Sequence, residues 1–321
     1  MFSCFEIYHY FCAKIPRRMR YGVIGTGAIG GYYGAKLAQS GQEVHFLLHS
    51  DYEHVKEHGL RVRSYLGDFH LDRPHIYKDT HEMPQCDVVL VGLKTNNNPL
   101  LATLLPPLLG PKTLVVLIQN GIGVEADVQR MFPSVALAAG LAFICSSKSE
   151  PGVVNHQFYG SINIGNYSCP DASLMEQLLA ELHAANIEAN LVDYETARWR
   201  KAVWNMPYNG MTVALQCQTK DLMVNPSSRR LIYEQMLEVC RASQALGVKG
   251  VDEAFAQKMM QMTDDMVPYS PSMRLDWDFH RPMEIHYLYT RPLEIARNAG
   301  CPMPRLEMLE AELRFMEEQR H

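Results

Sequence analysis

A glycine-rich turn near the start of the chain constrains the fold more than any other feature. A short apolar run at residues 21–24 leads directly into Gly-Thr-Gly-Ala-Ile-Gly, and a helical segment follows to Ser40. In such a unit Gly25 makes the tight turn, Gly27 lets the backbone approach a pyrophosphate, and Gly30 lets helix and strand pack closely. The pattern predicts dinucleotide binding, with a merely structural turn as the alternative. We expect the phosphates to contact Gly25, Thr26, Gly27, Ala28, Ile29 and Gly30, where the helix N-terminus offers unpaired N–H groups.

Strands and helices alternate beyond this turn. The apolar runs at residues 43–48, 88–93 and 114–118 lack polar alternation, which is typical of parallel strands covered by helices on both faces. Residues 60–71 alternate and predict a hairpin, and residues 158–164 predict a late strand. The fold class that follows is α/β, with an N-terminal Rossmann-type doubly wound sheet.

The pattern changes after Asp193, where long segments with helical spacing follow one another without a convincing strand. This predicts an all-α C-terminal domain. We place the boundary near Val192, with Asp193 as the N-cap of the next helix. The prediction is a Rossmann domain that binds NADP at residues 19–192 and a helical substrate and catalytic domain at residues 193–321.

The first eighteen residues are apolar but do not fit a secretory signal. Glu6 comes early, and the positive residues Arg17 and Arg18 come last, whereas a signal places its positive charge first. The run is also shorter than the roughly 20 apolar residues that cross a bilayer. We expect residues 1–18 to be a dispensable extension with Met19 as the functional start, because the first predicted core strand begins there.

Composition excludes several classes of function. Lys and Arg number 30 against 35 Asp and Glu, and no basic block is interleaved with aromatic residues, so we predict no nucleic-acid partner. The eight cysteines are scattered without a CxxC pair, which indicates a reducing compartment, the cytoplasm, and no zinc site or redox disulfide. His54 and His58 have helical spacing but no evident third ligand, so we predict no metal site. No stretch reads as membrane-spanning.

The end of the second predicted strand distinguishes between dinucleotides. An acidic residue there binds the ribose 2'-hydroxyl of NAD, and a basic one holds the 2'-phosphate of NADP. His49 and Ser50 come first and can donate to a phosphate, whereas Asp51 lies slightly later and could repel it. We therefore expect NADP as the cofactor, bound in part by His49 and Ser50.

Two further polar residues end predicted strands. Lys94 follows the run at residues 88–93, and Asn120 follows the run at residues 114–118. Ligands of such sheets bind outside the carboxyl ends of the strands, so both side chains should face the cleft. A solvated lysine is the alternative for Lys94.

The most informative segment is residues 198–215. Lys201, Asn205 and Asn209 recur every four residues and form one polar stripe on an otherwise apolar helix. Pro207 and Gly210 predict a kinked or loosened helix at this point. The alternative is an exposed face that carries a lysine and two asparagines.

A second set of candidate site residues lies near residue 280. Pro282 suits the first turn of a helix, which would put Glu284 close to that helix's start. Ser272 precedes it, and we expect it on a loop.

These motifs, in this order, resemble the ketopantoate reductase (2-dehydropantoate 2-reductase) family. They are the glycine turn, Leu-Lys-Thr and Gln-Asn-Gly at strand ends, Lys-x3-Asn-x3-Asn, and Pro-Ser-Met-x2-Asp followed by Arg-Pro-x-Glu-Ile. The resemblance covers nearly everything from Met19 onward. It implies reduction of 2-dehydropantoate to pantoate with NADPH, on the route to pantothenate and coenzyme A.

The resemblance also implies a role for each motif residue. Lys201 would be the general acid, and Asn205, Asn209 and Ser272 would bind substrate. Glu284 would help to anchor it, and Lys94 and Asn120 would line the nicotinamide side, Asn120 within reach of both cofactor and substrate. The chemistry agrees, because hydride addition builds negative charge on the carbonyl oxygen, which a nearby ammonium stabilises and protonates.

Departures from the family pattern leave the keto acid open. His280, His286, Tyr289 and Thr290 stand where the family often has Gly, an acidic residue and Asn-Gly, and His49 replaces a common arginine. One alternative is a reductase of the same architecture that acts on another small 2-keto acid. Another is a non-catalytic sensor of dinucleotides, which predicts loss of the lysine stripe although Lys201 is present. The oligomeric state also stays open, a homodimer included.

Overall fold

The computed structural model describes residues 18–266 and 270–320. Apart from Arg18, the predicted N-terminal extension lies outside the described residues. Within them a ten-stranded sheet is followed by a bundle of helices. No helix in the described ranges is long and apolar enough to cross a membrane.

The strands of the sheet all lie before Asp193. They are β1 Arg20–Ile24, β2 Glu43–Leu47, β3 Leu60–Ser64, β4 Phe69–Leu71, β5 His75–Tyr77, β6 Cys86–Val91, β7 Leu109–Leu117, β8 Ala136–Glu150, β9 Val153–Asn166 and β10 Ala189–Val192. Their order is β4-β3-β9-β8-β7-β6-β1-β2-β5, with β10 beside β9. Neighbouring strands are parallel along one part of the sheet, which contains β8, β7, β6, β1, β2 and β5 in that order. The apolar runs without polar alternation predicted this.

The sheet becomes mixed beyond β8. The β8 and β9 strands form a long antiparallel hairpin, so the predicted strand at residues 158–164 is part of a longer element. The β3 and β4 strands form the predicted hairpin around Gly67. The Rossmann-type α/β fold class is therefore confirmed, with an antiparallel extension on one side.

Helices cover the sheet and build the second half of the chain. With the sheet lie α1 Ala28–Gln39, α2 Tyr52–His58, α3 Leu101–Leu104, α4 Val124–Met131 and α5 Ala172–Ala184. The second half contains α6 Tyr194–Ala214, α7 Thr219–Val224, α8 Pro226–Ala245, α9 Glu253–Asp264, α10 Ser272–Asp278, a π-helical turn at His286–Thr290, α11 Arg291–Asn298 and α12 Pro304–Glu318. Among described residues after Val192 there is no strand, which confirms the all-α prediction.

Local capping explains where several helices begin. The Asp193 carboxylate accepts a hydrogen bond from the Thr196 N–H at 2.9 Å, so the predicted N-cap of α6 is confirmed. Asn225 caps α8 in the same way, and Pro226 occupies the first helical position, where its missing N–H costs nothing.

The centre of the helical half is α6. Val203 and Tyr208 are fully buried and pack in one apolar cluster with Ile232 and Met236 of α8. The helix continues unbroken through Pro207 and Gly210, although the sequence predicted a weak point there. The sheet has its own cores on its two faces.

Gly210 provides space for a close approach. A Cβ atom at this position would lie 2.6 Å from Leu309 Cδ2 and 2.6 Å from the hydroxyl oxygen of Tyr289. That hydroxyl donates to the Met206 carbonyl at 2.5 Å and is fully buried, so it has little room to move. The glycine therefore lets α12 and the π-helical turn pack against the backbone of α6.

We expect Gly210→Ala to lower the free energy of unfolding by about 1–3 kcal/mol, because the added methyl group overpacks this contact. The measurement is chemical denaturation followed by circular dichroism. Gln244→Ala, an exposed substitution on α8, is the control and should be neutral. Greater stability of Gly210→Ala, from the better helix propensity of alanine, would show that this contact imposes no constraint.

Candidate active site

The glycine turn has the geometry that phosphate binding requires. Gly25 has a φ of +86°, and a Cβ there would lie 2.5 Å from the Leu93 nitrogen. A Cβ on Gly30 would lie 2.4 Å from the Gly25 carbonyl oxygen, whereas one on Gly27 would meet nothing within 4 Å. Because α1 begins at Ala28, the open side of Gly27 adjoins the unpaired N–H groups of a helix start.

The glycine turn is joined by a hydrogen bond to the end of β2. The Thr26 hydroxyl donates to the Leu47 carbonyl at 2.8 Å. His49 and Ser50 follow β2 and are exposed, as a role in cofactor binding requires. The structure thus brings the predicted cofactor residues of this region together along one edge of the sheet.

Asp51 does not stand free at this edge. Its carboxylate accepts from the Gly152 N–H at 2.9 Å and pairs with Lys148 Nζ at 2.5 Å, and Ser50 donates to it at 3.2 Å. Burial works against its charge, but the Gly152 N–H and Lys148 outweigh burial and lower the pKa of Asp51. Its negative charge is neutralised, so the repulsion of a phosphate that the sequence suggested is removed. Sequence reasoning missed Lys148, because nothing local marks it.

The end of β6 meets two carboxylates of the helical half. Lys94 Nζ donates to Asp276 Oδ2 at 2.6 Å and to Glu284 Oε2 at 3.0 Å. The other oxygen of Glu284 accepts from the N–H and the hydroxyl of Thr95, each at 2.8 Å. Burial opposes the charge of Lys94, but the two carboxylates raise its pKa. Lys94 and Glu284 were both predicted at the site, and the structure shows that they bind each other across the two domains.

Two local predictions in this region are wrong. Ser272 is the first residue of α10 rather than part of a loop. Pro282 lies before the helix, which starts at Ile285, and not in its first turn. Glu284 directly precedes the helix and so lies close to its start, as predicted. Residues 281–284 are outside any helix, and contacts from elsewhere hold them: the Met283 N–H donates to Glu317 at 3.0 Å, and the Glu284 carboxylate accepts from the Thr95 N–H.

Lys201 lies deep in a narrow cleft between the two domains. Its ammonium group donates to the Ala142 carbonyl of β8 at 2.8 Å. Burial, and then the charge of Arg198, lower the pKa of Lys201 to about 7, while Glu284 opposes this shift. The cleft is lined by Lys201 together with Gly121, Ile122, Arg198, Ala202, Asn205, Met206, Tyr287, Leu288 and Pro292.

The polar stripe divides into two parts. Asn205 lines the cleft beside Lys201. Asn209 is buried, donates to the Asn205 carbonyl at 3.0 Å, and accepts from the Met273 N–H at 3.0 Å and from Ser272 Oγ at 3.4 Å. Asn209 therefore holds the start of α10, and with it Ser272, next to α6. Asn120 is half-buried beside Gly121 at the cleft.

A buried ion pair that the sequence analysis did not consider joins the two domains at this point. Arg198 pairs with Glu125 of α4 and donates to the Gln119 carbonyl at 2.6 Å, and the Tyr194 hydroxyl donates to Glu125 at 2.8 Å. Arg198 and Glu125 have side-chain exposures of 2% and 0%. One signal was available, since Arg198 lies three residues before Lys201, on the same face of the helix.

A glycine turn of the Rossmann type, combined with a lysine in the cleft between the sheet and the helices, is typical of a dinucleotide-dependent oxidoreductase. Comparison with known proteins agrees. The family model "Ketopantoate reductase PanE/ApbA" matches residues 21–168, and its C-terminal counterpart matches residues 193–317. The chain therefore belongs to the ketopantoate reductase family.

Individual relatives extend along nearly the whole chain. A 2-dehydropantoate 2-reductase of Nostoc sp. is 40% identical over 304 residues, 93% of this chain and 95% of the relative. The crystal structure of 2-dehydropantoate 2-reductase from Geobacter metallireducens superposes with a TM-score of 0.89 at 37% identity, over 94% of this chain and all of that one. A D-mandelate dehydrogenase solved with NADH and anilino(oxo)acetate shares the fold at 21% identity, with a TM-score of 0.86 over 94% of this chain and 99% of that one.

We expect Lys201→Met to stabilise the protein, and most strongly at low pH. Because folding lowers the pKa of Lys201 from 10.5 to about 7, the folded state disfavours the proton. Below pH 7 the amine is charged in both states, so folding bears the full cost of burying the charge. This cost declines as the pH rises towards the unfolded pKa.

The measurement is the thermal midpoint of Lys201→Met against the parent at about pH 6 and about pH 9. Lys112→Met, which changes an exposed lysine of β7, is the matched control and should show no pH-dependent difference. A stabilisation that is the same at both pH values would mean that the burial of charge is not its source.

Proposed function

We propose that this protein reduces 2-dehydropantoate to pantoate with NADPH, in the supply of pantothenate and coenzyme A. The observation that carries the proposal is Lys201, which lies at a domain cleft with a pKa lowered to about 7. The family membership and the phosphate-binding turn support the same reaction. In this proposal residues 19–192 bind the cofactor and residues 193–321 supply the catalytic helix. Free cysteines in the described ranges support a cytoplasmic enzyme, and a homodimer stays a prediction.

The residues of the turn fit a dinucleotide. Gly27 leaves open space beside the start of α1, and Gly25 and Gly30 allow the close approach of two backbone segments. The cofactor, when bound, supplies the hydride. We propose that Gly25 to Gly30 hold its pyrophosphate, that His49 and Ser50 meet the 2'-phosphate, and that Asn120 lies at the nicotinamide side.

Lys201 is the general acid in this proposal. Reduction of a ketone builds negative charge on its oxygen, which an ammonium group both stabilises and protonates. A pKa of about 7 lets Lys201 give up a proton at neutral pH. The Ala142 carbonyl fixes the position of its nitrogen. Lys94 is less suited to this role, because its two carboxylate partners raise its pKa.

Asn205 and Ser272 are the proposed substrate ligands. Asn205 lines the cleft one turn beyond Lys201, and its amide carries both donors and acceptors. Asn209 acts by holding Ser272, and Glu284 acts by holding Lys94 and Thr95. Asn209, predicted to bind substrate, and Glu284, predicted to help anchor it, thus contribute in this proposal through the residues that they position.

The departures from the family pattern have little bearing on the cleft. His280 and His286 are exposed, Tyr289 is buried in the helical core, and Thr290 donates to Glu310 at 2.5 Å. Within the described residues the cleft is lined instead by their neighbours Tyr287 and Leu288. This favours 2-dehydropantoate over another small 2-keto acid.

The direct test is the oxidation of NADPH by the purified protein with a panel of 2-keto acids. We expect the highest kcat/KM with 2-dehydropantoate, and a lower value when NADH replaces NADPH, because the 2'-phosphate has donors at the end of β2. A higher kcat/KM with a different keto acid would reassign the substrate. Equal turnover with NADH would refute the cofactor preference.

We expect Lys201→Ala to lower kcat by at least about a hundredfold, the lower range of what a positioned general acid contributes. Cofactor affinity, measured by fluorescence titration, should stay near that of the parent, because the phosphate-binding turn lies in the other domain. In the parent enzyme the rate of reduction should fall as the pH rises through about 7, where Lys201 loses its proton.

Lys112→Ala is the matched control for this substitution and should retain full activity. An undiminished kcat with an unaltered pH profile in Lys201→Ala would make this lysine structural. Lys94 would then be the next candidate for the acid.

A further inference from the structure

The β8 strand crosses the phosphate-binding turn and contacts its backbone twice. The Ser146 hydroxyl donates to the Ala28 carbonyl at 3.3 Å, and Lys148 Nζ donates to the Thr26 carbonyl at 2.7 Å. The two residues are two positions apart, the spacing that puts side chains on one face of a strand. The turn is therefore covered by a strand far away in the sequence.

Lys148 also reaches the end of β2. Its Nζ lies 2.5 Å from Asp51 Oδ2, whose carboxylate is held by the Gly152 N–H. The ammonium group thus spans the space between the phosphate-binding turn and the residues that follow β2. An ammonium has three donors, and these two contacts leave one of them available. The side chain is 16% exposed, so a ligand can reach it.

This space is where a dinucleotide places its adenosine ribose. In a Rossmann domain the ribose lies between the glycine turn and the end of the second strand, and its 2' position faces that strand end. A phosphate monoester there carries a charge of about −1.5 to −2 near neutral pH. His49 and Ser50 offer donors, and Lys148 adds the remaining N–H donor of its ammonium group.

We propose that Lys148 binds the 2'-phosphate of NADP, and that Asp51 holds the lysine in position for it. The inference rests on the proposed function, in which the cofactor is NADP. The same ion pair engages the carboxylate of Asp51, which could otherwise accept a hydrogen bond from the 2'-hydroxyl of NAD. Lys148 therefore acts on specificity in two ways, by attracting the phosphate and by occupying the acid.

The alternative is that Lys148 only holds the turn in shape. Loss of such a support would weaken the binding of every adenine nucleotide alike. Loss of a phosphate ligand would weaken only those that carry a 2'-phosphate. The two roles are therefore distinguished by a pair of ligands that differ in this group.

The experiment is isothermal titration calorimetry of the full-length protein with adenosine 2',5'-bisphosphate and with adenosine 5'-monophosphate. We expect Lys148→Met to weaken binding of the bisphosphate by about tenfold or more, the scale of one hydrogen bond between charged groups. Binding of the monophosphate should be unchanged, and Lys148→Arg should retain the discrimination. Lys112→Met is the matched control, and both affinities should stay at the parent's values.

Lys148→Met leaves the carboxylate of Asp51 without its positively charged partner. The double variant Asp51→Asn with Lys148→Met is therefore titrated as well. The thermal midpoint of each variant is also recorded. The same selective loss in the double variant supports the proposal. Equal weakening of both nucleotides, or none, overturns it and leaves the NADP assignment intact. Equal binding of both nucleotides by the parent overturns the NADP assignment and the role of Lys148 together.

Discussion

The buried pair of Arg198 and Glu125 is the contact on which the arrangement of the site depends. It joins α6, the helix that carries Lys201, to α4 beside the sheet, with both side chains almost wholly removed from solvent. Removing one partner of such a pair costs about 3–5 kcal/mol, because the other charge stays buried and unpaired. Arg198 also holds the Gln119 carbonyl, so one side chain sets both the strand end and the helix that face the cleft.

Burial is the main cause of the lowered pKa of Lys201, and the positive charge of Arg198, three residues away, lowers it further. Lys94 lies at the same junction but has two carboxylates beside it, which raise its pKa. The two lysines therefore differ in their properties. The lowered pKa of Lys201 lets it release a proton near neutral pH, whereas Lys94 keeps its charge and joins the sheet to the helical half of the chain.

Some features of the glycine turn and of α6 could be predicted because their physics is local. The close packing of Gly30 against the Gly25 carbonyl oxygen and the N-cap at Asp193 depend on residues a few positions away. Prediction failed where a distant contact decided the local structure. Pro282 would suit a helix start, but the backbone at Met283 and the carboxylate of Glu284 are held by residues outside the segment, so the helix begins later.

The sequence by itself determined the strand, glycine turn and helix at the start of the sheet. It also determined the helical stripe of Lys201, Asn205 and Asn209, because backbone geometry repeats over a few residues. Only the tertiary structure decided which charges meet. Lys148 reaches Asp51, and Lys94 reaches Glu284, although each pair is far apart in the chain. An ion pair depends on a distance of a few ångströms in space, and that distance is set by how the sheet and helices pack.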